Sequence, residues 1–404
     1  MGQEGALVIG AGAAGLATAA MLKRAGVETA VLERSESIGT SWLARYDRLR
    51  LNTLRWMSDL PGYACDRRYG SFPGARDWAA YLERYAEHHA LEVRFGVSVR
   101  RIELGALEWK LDTSAGTLAA PAVVVATGYD REPKLPDWPG IDDFAAELSH
   151  AADYRNAAPY SGRSVLVVGA GNSGSEIAGD LAEGGAAKVW LAVRTPPNVF
   201  PRRWLGVPIN PLGVLLDVLP TPLADRAGWI GQQMIYGDLS RYGLPRSPIG
   251  VKTRVRQDAI AACVDGGFVA AVKRGRIEVV TAVRALHGRE VVLDDGRRLE
   301  PDAVIAATGY RRGLEPLVGH LGVLQEDGRP VVHGERTHPN APGLYFIGFD
   351  TLSSGQLRLF SRDAKAIARR VAYGRRSLPM PGRASAGSRA AALRPLGTPR
   401  TRPA

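Results

Sequence analysis

The sequence of 404 residues contains two cysteines, Cys65 and Cys263, and no CxxC pair. That excludes a dithiol redox centre, a cysteine-rich zinc site and a disulfide scaffold, and it fits a reducing, cytoplasmic setting. The seven histidines show no metal-ligand spacing, so no metal is expected. No stretch is long enough to span a bilayer. Ala6 to Leu22 carries no charge over 17 residues, but Gly10, Gly12 and Gly15 interrupt it, and Glu4 stands where a signal peptide needs positive charge. Ala6 also breaks the myristoylation pattern. Acidic residues, lysines and aromatics are missing from 375–404, which holds seven arginines. Removing those seven from the net +11 leaves +4 for the body, so no nucleic-acid partner is read from the charge. The segment 375–404 reads as a disordered basic tail. At 45% hydrophobic and 23% charged residues, the chain as a whole has a soluble globular composition.

Glycine carries the first positive signal. An apolar run, Ala6–Ile9, leads into GAGAAG at Gly10–Gly15 and then into an Ala- and Leu-rich helix. A second strand at Thr29–Leu32 ends at Glu33. In such a strand–loop–helix–strand unit, Gly10 makes the tight turn, Gly12 admits a pyrophosphate, and Gly15 lets helix and strand pack closely. Ala14 lies in the same loop, and Glu33 can accept hydrogen bonds from ribose hydroxyls. The pattern returns at Ser164–Val168, GAGNSG at Gly169–Gly174, a helix, and a strand over Lys188–Val193. Here Gly169, Gly171 and Gly174 take the three glycine roles, and Asn172 and Ser173 add polar side chains for cofactor contacts. Arg194 replaces the acid, which suits a 2′-phosphate and hence NADPH. A surface arginine without a ligand is the alternative. Two different cofactors follow, FAD in the first unit and NADPH in the second, and together they imply hydride transfer onto flavin.

A further echo supports the pairing. AVVVATGY at Ala122–Tyr129 and AVIAATGY at Ala303–Tyr310 are each a buried strand running into a Thr-Gly turn. Thr127, Gly128, Thr308, Gly309 and Tyr310 are therefore assigned to the cofactor sites and to the passages between domains.

Between the two units stands FAAELSHAADY, in which Phe144, His150 and Tyr154 match F-x-G-x-x-x-H-x-x-x-[Y/F/W], with Ala146 in place of the glycine. In these residues the chain resembles the class B flavin-dependent monooxygenases, a family that includes the N/S-oxygenating, YUCCA-type and Baeyer–Villiger enzymes. The resemblance covers about residues 5–373 and implies that His150 positions the domains near NADP. Tyr154 resembles the heteroatom-oxygenating branch. ERSESIGTSW places Glu33, Arg34 and Trp42 as in the family's FAD segment. RLNTLRWMSDLPG resembles a stretch whose Asn lies over the flavin, and Asn52 is the match; its alternative is an Asn in a turn. GLYFIGFDTLSSGQLR resembles the closing FAD segment, with Asp350 towards the ribityl or pyrophosphate groups and Gln356 and Leu357 near the ring.

The resemblance implies a C4a-(hydro)peroxyflavin formed from NADPH-reduced FAD and oxygen. The expected function is oxygenation of a small molecule at nitrogen or sulfur. YUCCA-like decarboxylation of a 2-oxo acid or Baeyer–Villiger oxidation is the rival, and a flavin–nicotinamide reductase serving a partner protein is the reading of another class. The expected fold is α/β, with two Rossmann-like domains, the NADPH unit (161–311) inserted in the FAD unit (1–160 and 312–374). A proline-rich helical insertion over about 196–255 is read as a substrate lid or membrane contact, or else as a structural elaboration or dimer contact, and a homodimer is compatible with it.

Overall fold

In a computed structural model, the structure describes residues 4–377. The chain builds two parallel five-stranded sheets of the same plan. In the first, β1 (Ala6–Ile9) leads through the glycine loop into α1 (Ala13–Arg24) and β2 (Thr29–Leu32). Helix α2 (Ala75–His88) precedes β3 (Glu92–Arg94), and β4 (Val123–Val125) returns beside β1. The second sheet takes β5 (Glu147–His150), β6 (Ser164–Val168), β7 (Lys188–Ala192), β8 (Glu278–Val280) and β9 (Ala303–Ala306). Helix α3 (Asn172–Glu183) joins β6 to β7. The chain then re-enters the first sheet as β10 (Leu344–Phe346).

The strand orders are β10-β4-β1-β2-β3 and β5-β9-β6-β7-β8. Each opening strand is thus flanked by its successor and by an ATGY strand, with Val8 opposite Val124 and Val167 opposite Ile305. Unbroken Val/Ile/Leu runs form these strands because helices and antiparallel strands bury both sheet faces. Val123, Val124 and Val125 are fully buried, each stabilising the core by about 1.5–3 kcal/mol. The last helix, α7 (Gln356–Ser377), packs along α1. It runs into the stretch read as the basic tail; residues 378–404 of that tail lie outside the described residues.

The two crossings between the sheets run side by side. Glu132–Pro133 leaves the first sheet and pairs antiparallel with Tyr310–Arg311, which returns to it. The segment read as a helical insertion contains α4 (Asn210–Val218), α5 (Thr221–Tyr236) and α6 (Val251–Asp258), preceded by a small hairpin of Arg203–Trp204 and Val207–Pro208. Its outer face exposes Leu205, Leu212, Leu215 and Val218. Among the described residues no helix is long and apolar enough to cross a membrane.

Candidate active site

The two glycine loops share one geometry. Gly10 has φ +104°, and a Cβ there would lie 2.7 Å from Ala126 O. Gly169 has φ +108°, and its Cβ would lie 2.5 Å from Ala307 O. The third glycines touch their own loops: a Cβ on Gly15 would stand 1.9 Å from Gly10 O, and one on Gly174 would stand 1.8 Å from Gly169 O. The middle glycines differ. Nothing lies within 4 Å of a Cβ built on Gly12 or Gly171, so both face open space in front of a helix. Neither helix N-terminus has a side-chain cap. Free amides, a positive helix end and an open approach make a cradle for a pyrophosphate.

In the first unit Glu33 closes the cradle's side. Its Oε2 accepts from Ala11 N at 2.7 Å, and Oε1 accepts from Ser35 N and Oγ at 2.9 and 2.8 Å. Thr127 Oγ1 is buried beside β4 without a partner among the described residues, and such an orphan fits a bound polar group. Ala14 is buried and would meet a Cβ on Gly348 at 3.4 Å, which brings the segment after β10 against this loop. Gln356 Nε2 donates to Gly348 O at 3.0 Å and to Asp350 O at 3.3 Å, and Leu357 is buried at the start of α7. The exposed Asp350 accepts from its neighbour Thr351 N at 2.8 Å. Trp42 is half-buried, edge-on to Trp78 at 6.1 Å, and Arg34 is exposed. The residues present fit a flavin dinucleotide.

In the second unit Arg194 lies two residues beyond β7, exposed, and makes no hydrogen bond or ion pair among the described residues. Asn172 is engaged with protein. Its Nδ2 donates to Ala262 O at 3.3 Å, and its Oδ1 accepts from Val264 N at 2.8 Å. Its amide thus ties the loop to the 262–264 segment. The Ser173 hydroxyl lies beside that of Tyr46.

His150 sits at the junction. Its Nδ1 accepts from Ala152 N at 3.0 Å, so Nε2 carries the proton and donates to Gly309 O at 3.0 Å. The ring is edge-on to Tyr310 at 5.0 Å, and Thr308 Oγ1 donates to Lys134 O across the crossing. Burial lowers the His150 pKa, which the Gly309 bond partly opposes. Tyr154 is buried against Tyr160 and Tyr46 and donates to Asp180 Oδ2 at 2.6 Å. Its ring belongs to the core of the second unit.

Asn52 is held from the insertion. Arg202 Nη2 donates to Asn52 Oδ1 at 3.2 Å, and Asn210 Nδ2 donates to Asn52 O at 2.7 Å. Helix α4 presses on the segment before α7: a Cβ on Gly213 would stand 2.7 Å from Ser353 O, and Asp217 accepts from Ser353 N and Ser354 N at 2.8 and 3.2 Å. Three polar atoms here, Arg202 Nε, Asn210 Oδ1 and Ser353 Oγ, are buried without partners among the described residues. The insertion therefore roofs Asn52 and the 350–356 segment. Sequence reasoning missed Arg202, Asn210 and Asp217, because a lone Arg or Asn in a proline-rich stretch has no spacing that marks it. Cys65 and Cys263 are free and buried, with thiols pushed up to about 12 chiefly by burial.

Comparison with known proteins agrees with this geometry. The profile of the pyridine nucleotide-disulphide oxidoreductases matches residues 7–205. Indole-3-pyruvate monooxygenase YUCCA1 of Oryza sativa subsp. japonica is 35% identical over 354 residues, 85% of this chain and 86% of its own. A doubly substituted flavin monooxygenase from Stenotrophomonas maltophilia superposes with a TM-score of 0.72 at 24% identity, over 93% of this chain and 99% of that one. OTEMO in complex with FAD and NADP superposes with a TM-score of 0.70 at 16% identity, over 92% of this chain and 84% of that one. The twin glycine cradles, the buried unpaired thiols and the likeness to YUCCA1 along most of both chains lead to one assignment: the chain belongs to the class B flavin-dependent monooxygenases.

Proposed function

We propose that the protein is an FAD- and NADPH-dependent monooxygenase that decarboxylates a 2-oxo acid with an apolar aromatic side chain. FAD is assigned to the unit 1–160 plus 312–374 and NADPH to 161–311. The flavin, when bound, would supply the hydride acceptor for the nicotinamide and the means of activating oxygen. The residues hold, orient and shield. Gly12 and Gly171 admit the pyrophosphates, Glu33 faces a ribose, and Arg194 is free for the 2′-phosphate. His150 keeps the crossing at Gly309 fixed. Helix α4, whose Asn210 donates to Asn52 O, would shield the space around Asn52 from water. The net reaction converts RCOCOO⁻, NADPH, H⁺ and O₂ into RCOO⁻, CO₂, NADP⁺ and H₂O.

The substrate reading is carried by the Arg202 guanidinium, whose Nη2 already donates to Glu176 and Asn52 but whose buried Nε has no partner among the described residues. A second carboxylate, from substrate, would be the natural partner of that remaining donor. The relative named for indole-3-pyruvate agrees. Oxygenation at nitrogen or sulfur is the second reading, favoured by Asn52, whose amide donates without supplying an acidic proton. Tyr154, the other basis for that reading, does not separate the two, because its ring is packed in the second core.

The test incubates the FAD-loaded protein with NADPH, isotopically labelled O₂ and either indole-3-pyruvate, an aromatic amine or a thioether. One labelled oxygen in the indole-acetate product, with CO₂ release, is expected. Oxygen transfer to the amine or thioether alone would establish the second reading, and NADPH oxidation without transfer to any of them would contradict both.

A further inference from the structure

Four side chains form a continuous line from the second glycine loop to Asn52. Glu176 stands in α3 two residues after Gly174. Its Oε2 accepts from Tyr46 Oη at 2.7 Å, and its Oε1 accepts from Arg202 Nη2 at 3.0 Å. The same Nη2 donates to Asn52 Oδ1. Tyr46 comes from the first unit, Glu176 from the second and Arg202 from the insertion, so three parts of the chain meet on one carboxylate. The Tyr46–Glu176 end is buried, with Tyr46 3% exposed and the Glu176 side chain 8%, while the Arg202 side chain is 20% exposed. Removal of either partner would leave a buried charge incompletely satisfied.

The line also fixes a direction. A guanidinium can only donate, so Arg202 requires Asn52 to turn its oxygen inward and its NH₂ outward. The Arg202 guanidinium is held over the Phe72 ring at 5.5 Å, and Asn210 anchors the Asn52 carbonyl. We propose that Arg202 is the positioning residue of Asn52, and that Glu176 transmits nucleotide occupancy at the second glycine loop to it. The inference rests on the assignment of NADPH to that loop and of Asn52 to the flavin side. A nucleotide that orders the first turn of α3 orders the Glu176 carboxylate, and through Arg202 it selects the Asn52 orientation.

Hydrogen exchange of the 49–54 backbone in the FAD-loaded protein, with and without NADP⁺, reads this coupling without turnover. NADP⁺ affinity is measured separately by titration. Addition of NADP⁺ is expected to slow exchange of the wild type by about fivefold or more. Tyr46→Phe, which removes one hydroxyl, and Arg202→Lys, which keeps a cation beside Glu176, should bind NADP⁺ and lose most of that protection. Both should also release more hydrogen peroxide per NADPH oxidised, as should Asn52→Ala. Undiminished protection in both variants, or none in the wild type, would overturn the proposal. If Asn52→Ala leaves peroxide release unchanged, the role of Asn52 falls, while the exchange data still judge the line of contacts. Failure of NADP⁺ to bind the wild type would overturn both.

Discussion

A glycine that turns a chain and one that admits a ligand look alike in sequence but differ in what a methyl group would meet. Gly12 and Gly171 have φ −78° and −77°, which alanine adopts freely, and open space around them. Gly12→Ala should therefore fold with an unchanged melting temperature and lose flavin, and Gly171→Ala should retain flavin and lose NADPH affinity. Gly15→Ala places a methyl 1.9 Å from Gly10 O and should cost several degrees in thermal midpoint, measured on apoprotein. Arg194 makes a separate prediction. With no partner to lose among the described residues, Arg194→Ala should leave stability and kcat nearly unchanged and raise the KM for NADPH about tenfold, with little effect on NADH. The cysteines should be inert. Both are buried with raised pKa values, so native protein should resist alkylation, and Cys65→Ala with Cys263→Ala should retain NADPH oxidation.

At the scale of elements, β5 is held against β9 by the His150–Gly309 bond as well as by the strand ladder. That bond needs a neutral ring whose Nδ1 accepts, and burial keeps the ring neutral by lowering its pKa. Above the ordinary histidine value both folded and unfolded chains are neutral there. As the pH falls through it, the unfolded chain takes the proton first, so stability falls until the lower folded value is reached. The thermal midpoint should drop between about pH 7 and 5. His150→Gln should make that drop shallower without removing it, since His89 and His333 are shifted the same way by burial. An unchanged slope would remove His150 from the account. The glycine loops, the apolar strands and the ATGY turns were legible in the sequence because strand burial and backbone conformation demand particular residues at fixed spacing. The contacts of Asn52 were not, since Arg202 lies 150 residues away and only the folded insertion brings it there. Asn172 shows the same limit: its position in the loop was readable, but its commitment to Ala262 and Val264 depends on a distant strand.

The whole molecule repeats one plan twice, with the two crossings paired at Glu132–Pro133 and Tyr310–Arg311. Repetition places two open cradles in one body, while Glu33 and Arg194 make them chemically unequal. A flavin held in the first and a nicotinamide in the second is the central claim, and the oxygenase chemistry depends on it. The most direct test is to extract and quantify flavin from the purified protein, then follow its visible absorption under exclusion of oxygen as NADPH or NADH is added. The account predicts about one FAD per chain, rapid bleaching by NADPH, slower bleaching by NADH, and return of colour with oxygen uptake when air is admitted. A protein that binds no flavin, or whose flavin stays oxidised in the presence of NADPH, would contradict it.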